Sequence, residues 1–157
     1  MLDALESLVY EQMLLQRHAV HSTAPHGRQA HLDRSATVLL ARLEAQGPMT
    51  VAQLSEAFGL DISTIHRQLT AAIKHGLIEK IRDPDGGAAW LHRPSEEGSA
   101  RLLEELKARR GAFGAIVGDW DPDDVRRFAE LMRRFNEGVE AQRSQPWPRG
   151  GIGYQSE

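Results

Sequence analysis

Thr50-Val51-Ala52-Gln53-Leu54-Ser55-Glu56-Ala57-Phe58-Gly59-Leu60-Asp61-Ile62-Ser63-Thr64-Ile65-His66-Arg67-Gln68-Leu69-Thr70-Ala71-Ala72-Ile73-Lys74-His75-Gly76 encodes two amphipathic helices and the tight turn between them. Thr50 and Gln53 make a capping-box pair, hydroxyl to the third backbone N–H and amide back to the cap, so a short helix opens there and runs to about Phe58. Gly59 ends it. Asp61 or Ser63 caps the next helix, and Ile62, Ile65, Leu69 and Ile73 are expected on one buried stripe. Gly76 closes that helix near His75. A short helix, a glycine turn and a longer helix have the composition of a helix-turn-helix unit.

Downstream, Leu77 to Arg82 and Ala89 to Arg93 read as two strands around Asp83-Pro84-Asp85-Gly86-Gly87, a β-hairpin or wing. Ser95, Glu97 and Gly98 open a long helical pattern through Leu102, Leu103, Leu106, Phe113 and Val117. Asp121 as cap, Pro122 at the first helical position, and Asp123 and Asp124 in the first turn announce a last helix. Its apolar residues Val125, Phe128, Met132, Phe135 and Val139 form a heptad-like seam, the pattern of a helix that packs along another helix. From Arg143 to Glu157 the Pro, Gly and Ser content predicts a disordered tail.

Upstream, Asp33 caps a helix with Ala36, Leu39, Leu40 and Leu43 on its buried face, ended by Gly47 and Pro48. Ser22 to His31 is a connector. Leu2, Leu5, Leu8, Val9, Met13, Leu15 and Val20 recur near a helical period, and the spread of apolar positions predicts a helix buried on more than one side. The fold class is mainly α with a small β-hairpin wing.

The 157 residues suit one folded unit, and 41% hydrophobic content suffices for a modest core. No apolar run is long enough to span a bilayer and no secretory leader is evident, so a cytoplasmic location without membrane contact is expected. The absence of cysteine removes disulfides, thiolate metal sites and thiol-based sensing together. A net charge of −3 argues against a chain that coats nucleic acid non-specifically, yet it allows one basic reading surface on an acidic body.

That surface is expected on the second helix of the unit. At one hundred degrees per residue, Ser63, Thr64, Arg67, Gln68, Ala71 and Lys74 turn away from the isoleucine stripe, with His66 at the boundary. Arg67 suits the paired acceptors of guanine, Gln68 suits adenine, Ser63 and Thr64 suit phosphate or base edges, and Lys74 suits backbone phosphate. Any surface helix carries such residues. The hairpin that follows immediately changes the odds, because it aims one helix at the major groove and one loop at the flanking backbone.

Leu32-Asp33-Arg34-Ser35-Ala36, Gly47 to Leu54, Gly59 to Gln68, and Ser95-Glu96-Glu97-Gly98 together resemble the MarR family of winged helix-turn-helix regulators, and the likeness covers nearly everything except the tail. The resemblance implies a homodimer with an N-terminal dimerisation helix and connector at 1–31, a DNA-binding lobe at 32–94, C-terminal dimerisation helices at 95–142 and a tail at 143–157. It also implies binding to pseudopalindromic promoter DNA, often as a repressor, with release by a small phenolic or anionic ligand. Carried over by position, Ser63, Thr64, His66, Arg67 and Gln68 fall on the recognition helix. The wing departs from the family: its Asp-x-Arg-Arg-like tip is matched here by an arginine-free stretch from Asp83 to Ala89. Arg82 and Arg93 flank the hairpin and are the candidates for phosphate contact.

Other motifs are weaker. His18 and His21 lie three apart, with His26 and His31 close by, but no Cys or carboxylate pair completes a metal shell, so no metal or cofactor is expected. Trp90 and Trp120 are expected as core or cleft residues, and Phe113, Phe128 and Phe135 as packing residues. No nucleophile elbow, phosphate loop or metalloprotease ligand pair is present, so an enzyme is not expected. The competing reading is a protein-interaction module that keeps the winged fold without specific DNA binding, motivated by the altered wing and the acidic charge.

Overall fold

The computed structural model describes residues 2–17 and 32–150. His18, His21, His26 and His31, and the expected helical end near Val20, lie outside the described residues. The elements follow in the order α1 (Leu2–Arg17), α2 (Arg34–Gln46), α3 (Val51–Phe58), α4 (Ile62–Lys74), β1 (Ile78–Arg82), β2 (Trp90–Pro94), α5 (Glu96–Ile116) and α6 (Pro122–Arg143).

Local chemistry sets most boundaries. Asp33 starts α2 by accepting from the Ala36 N–H at 2.7 Å, and that bond, with the Ser35 hydroxyl, holds its carboxyl below the usual range. The Thr50–Gln53 capping box is complete at 3.1 and 2.8 Å, and Gly59 closes α3 in the left-handed region at φ 59°. Asp61 occupies the cap position of α4 without a side-chain cap bond, and Ser63 lies inside the helix. Ser95 caps α5 by accepting from Gly98, and Asp121 caps α6 ahead of Pro122.

A single core joins the lobe. Leu39, Leu40 and Leu43 from α2, Leu54 from α3, Ile65, Leu69 and Ala72 from α4, Leu77 and Ile78 at the wing, and Leu102 from α5 are buried together with Met49. Each such leucine contributes about 1.5–3 kcal/mol through removal from water. The buried line of α4 is thus Ile65, Leu69 and Ala72, and the four-residue stripe of Ile62, Ile65, Leu69 and Ile73 requires correction: Ile62 is 54% and Ile73 39% exposed. A helix face narrows to whatever its neighbours cover, and here α2, α3 and β1, which pack against α4, leave Ile62 and Ile73 largely uncovered.

The wing pairs antiparallel, with Arg82 opposite Trp90, Lys80 opposite His92 and Glu79 opposite Arg93. Met49 extends the sheet by exchanging backbone hydrogen bonds with His92 at 3.0 and 2.8 Å, which clamps the wing to the α2–α3 connection. Gly98 lets the start of α5 sit against the backbone just before β1: a Cβ there would lie 2.0 Å from the Leu77 carbonyl oxygen.

Two expectations meet a different arrangement within this chain. α1 is not buried on several sides, since Leu5, Leu8, Val9, Tyr10 and Met13 are all more than half exposed. α6 has no buried residue, so the seam of Phe128, Met132 and Phe135 is open. The described part of the tail, residues 143–150, also differs from the disorder expected from Arg143, and the rest of it lies outside the described residues. α6 runs through Arg143, and residues 145–150 fold back onto the lobe. There Arg42 donates to the Pro146 carbonyl at 2.9 Å and lies 5.2 Å from the Trp147 ring centre, while Phe58 meets the same ring at 6.0 Å. Glu140 accepts from the Trp147 N–H at 3.1 Å and pairs with Arg149, so aromatic and ionic contacts hold a segment that composition alone leaves free.

Candidate nucleic-acid interface

α4 presents the residues expected to read DNA as one outer face, opposite the Ile65–Leu69–Ala72 line. Ser63, His66, Arg67 and Lys74 are exposed, and Thr64 and Gln68 are half-buried. Arg67 folds back one turn to donate to the Thr64 hydroxyl at 3.1 Å, which parks its guanidinium over the N-terminal half of the face. Five of these side chains, Ser63, Thr64, His66, Arg67 and Gln68, cluster there. Lys74 stands at the other end, roughly 16 Å along the axis from Ser63 at 1.5 Å per residue.

The two wing arginines part company. Arg93 is paired with Glu79 on one face of the hairpin. Arg82 lies on the opposite face with its guanidinium 3.9 Å from the Trp90 ring centre, and Lys80 approaches the same ring at 4.7 Å. The tip carries acid: Asp83 accepts from the Asp85 N–H at 2.9 Å in a tight turn completed by Gly86 at φ 85°.

Between α4 and the wing strands lies a groove of about 390 Å³, walled by His66, Thr70, Lys80, Trp90 and His92. His92 is only 5% exposed, and its Nδ1 has no hydrogen-bond partner among the described residues. Burial pushes this imidazole below its ordinary pKa, the charges of Lys80 and His66 add to the effect, and the Met49 backbone opposes it. His92 therefore remains neutral where an exposed histidine begins to take up a proton. Sequence does not single out Lys80 or His92, and it leaves Trp90 as a core or cleft residue, of which the groove is the cleft outcome. The alternation of Lys80 and Arg82 along β1 was available as a signal, but the partner across the hairpin depends on register.

A second and larger cleft, about 1040 Å³, separates the lobe from α6. Val38 and Phe58 line one wall, Phe113, Phe128 and Met132 the other, and Trp147 of the folded-back segment closes one side. Arg34, Arg133 and Arg143 add cationic groups to this mostly apolar lining. Among the described residues no group of three potential metal ligands comes together, and no helix is long and apolar enough to cross a membrane.

Comparison with known proteins agrees with this architecture. The MarR family model matches residues 32–86. A curated relative, the uncharacterized HTH-type transcriptional regulator YxaD of Bacillus subtilis, is 32% identical over 135 residues, which cover 86% of this chain and 94% of the relative. Among solved structures, RV1404 of Mycobacterium tuberculosis superimposes with a TM-score of 0.70 at 20% identity, covering 88% of this chain and 93% of that one. BpsR of Bordetella bronchiseptica, whose DNA binding is regulated by 6-hydroxynicotinic acid, superimposes with a TM-score of 0.60 at 20% identity over 83% of this chain and 98% of its own. With six helices and a two-stranded wing among the described residues, and a helix-turn-helix at α3–α4, this chain belongs to the MarR family of HTH-type transcriptional regulators, which bind DNA and are not enzymes.

Proposed function

We propose that the protein acts as a homodimeric repressor that binds a pseudopalindromic promoter duplex and is released by a small phenolic or anionic ligand. The observation that carries the reading is the outer face of α4, where Ser63, Thr64, His66, Arg67 and Gln68 stand together beside the wing. Arg67 and Gln68 read base edges, Ser63 and Thr64 fix the helix N-terminus on the backbone, and Lys74 and Arg82 take phosphates further out. Arg93, already paired with Glu79, has the least charge to offer.

The lobe at 32–94 does the reading and the flanking helices join the copies. Open apolar side chains on α1 and α6, such as Leu8, Val9, Phe128 and Phe135, support this, because an exposed apolar patch of that kind is stabilised by burial against a second chain. Two α4 helices then address half-sites about one DNA turn apart. The cleft between lobe and α6, with its aromatic lining and arginines, supports an aromatic acid as ligand, and the regulation of BpsR by 6-hydroxynicotinic acid points to the same class. A ligand that prefers one spacing of the two lobes shifts the dimer away from DNA.

Fluorescence anisotropy with the duplex upstream of the protein's own gene, against an unrelated competitor, tests the reading. Wild type is expected to discriminate between the two duplexes, and Arg67→Ala to lose that discrimination while keeping weak general binding. Equal weak binding of wild type to both would favour a winged interaction module instead.

A further inference from the structure

We infer that the wing holds DNA through its strands rather than its tip, with Lys80 and Arg82 gripping backbone phosphates while braced on Trp90; the inference deepens the DNA-binding reading above and rests on it. The tip is unsuited to the task. Asp83 and Asp85 place two carboxylates there, locked in a turn by the Asp83–Asp85 hydrogen bond, and the stretch from Asp83 to Ala89 contains no cation. A phosphate brought to that loop meets like charge.

The strands behind the tip have the opposite character. Side chains alternate along β1, so Lys80 and Arg82 share one face while Glu79 faces the other way with Arg93. The register sets Trp90 directly opposite Arg82 and diagonal to Lys80, and both cations lie over its ring, at 3.9 and 4.7 Å. Stacking of a guanidinium on an aromatic face leaves its in-plane N–H groups free to donate, which pre-orients Arg82 for an anion and lowers the rotamer entropy lost on contact. Two cations converging on one ring repel each other, and among the described residues neither has a carboxylate partner. An incoming phosphate relieves that repulsion, whereas the Arg93–Glu79 pair on the other face has nothing to gain.

Position completes the case. Lys80 and Trp90 wall the groove that His66 of α4 borders from the other side, so the basic pair flanks the reading helix directly. Phosphates of the strand beside α4 would meet Lys80 and Arg82 when the helix enters the major groove. A wing without tip arginines thereby keeps a backbone contact, moved from the loop to the strands.

The test is the salt dependence of binding, read by fluorescence anisotropy for the full chain on both the specific and the unrelated duplex. Each dimer carries two wings, and each phosphate contact contributes about 0.9 to the slope of log K against log salt. Lys80→Gln with Arg82→Gln is therefore expected to flatten the slope by about 3 to 4 on both duplexes. Trp90→Leu, which keeps both charges, is expected to weaken binding about two- to fivefold per wing. A double variant with the wild-type slope overturns the inference, and so does a Trp90→Leu protein that melts normally and binds as wild type. Because the slope is measured on either duplex, failure of wild type to discriminate sequences would defeat the repressor reading alone. Wild-type protein that binds neither duplex at low salt would defeat both.

Discussion

Replacing Gly98 by alanine sets two well-defined effects against each other. Gly98 lies in the first turn of α5, and alanine is favoured there by helix propensity, by about 1 kcal/mol. The structure opposes it. The added Cβ would stand 2.0 Å from the Leu77 carbonyl oxygen, 2.9 Å from its carbon and 3.0 Å from Leu40 Cδ2. The first two are backbone atoms of the residue just before β1, and Leu40 is fully buried, so neither side yields cheaply. Relief requires α5 to move away by about an ångström, which also stretches the 3.0 Å bond from the Ser95 N–H to the same Leu77 oxygen. Overpacking of this kind costs about 1–3 kcal/mol and a lost buried hydrogen bond about 1 kcal/mol more, so the net expectation is destabilisation by about 1–3 kcal/mol. Urea denaturation followed by circular dichroism, at fixed protein concentration, measures it. Gly111→Ala in the same helix is the control, because a Cβ there meets nothing within 4 Å. A Gly98→Ala protein as stable as wild type, or more so, would refute the close approach of α5 to the lobe.

Two further outcomes follow from the same geometry. Trp147→Ala removes ring contacts with Phe58 and Arg42 and should lower the unfolding free energy by about 1–2.5 kcal/mol, seen as a shifted urea midpoint; an unchanged midpoint would detach the folded-back segment from the lobe. For His92, burial depresses the folded-state pKa, so its contribution is present above the ordinary histidine value of about 6.5 and is lost as pH falls below it. His92→Leu should therefore flatten the fall in stability between about pH 7.5 and 5.5, and a variant with the wild-type pH slope would show that His92 is not the group responsible.

Much of this protein is written in residues only a few positions apart. The Thr50–Gln53 box, Gly59 in the left-handed turn, Asp33 and Ser95 as caps and the Asp121–Pro122 start of α6 each satisfy backbone groups within four residues, so sequence alone placed these helix ends and the hairpin between them. The same local logic put Ser63, Thr64, Arg67 and Gln68 on one face of α4, since a helix converts spacing into direction. What the neighbours cover cannot be read that way. Ile62 and Ile73 match the period as well as Ile65 and Leu69, and only packing against α2, α3 and β1 leaves them open while Ala72 goes inside. Arg82 and Arg93 look alike as flanks of one hairpin, yet strand register gives one an aromatic platform and the other a carboxylate. The chain after α6 reads as disordered because its composition offers no period; Arg42, more than a hundred residues earlier, supplies a hydrogen bond that holds residues 145–150. Gly98 shows the division most sharply, because its helix prefers alanine and only a carbonyl on the preceding wing segment forbids one. Caps and faces depend on covalent neighbours, whereas burial, pairing and close approach depend on which distant residues tertiary packing brings within a few ångströms.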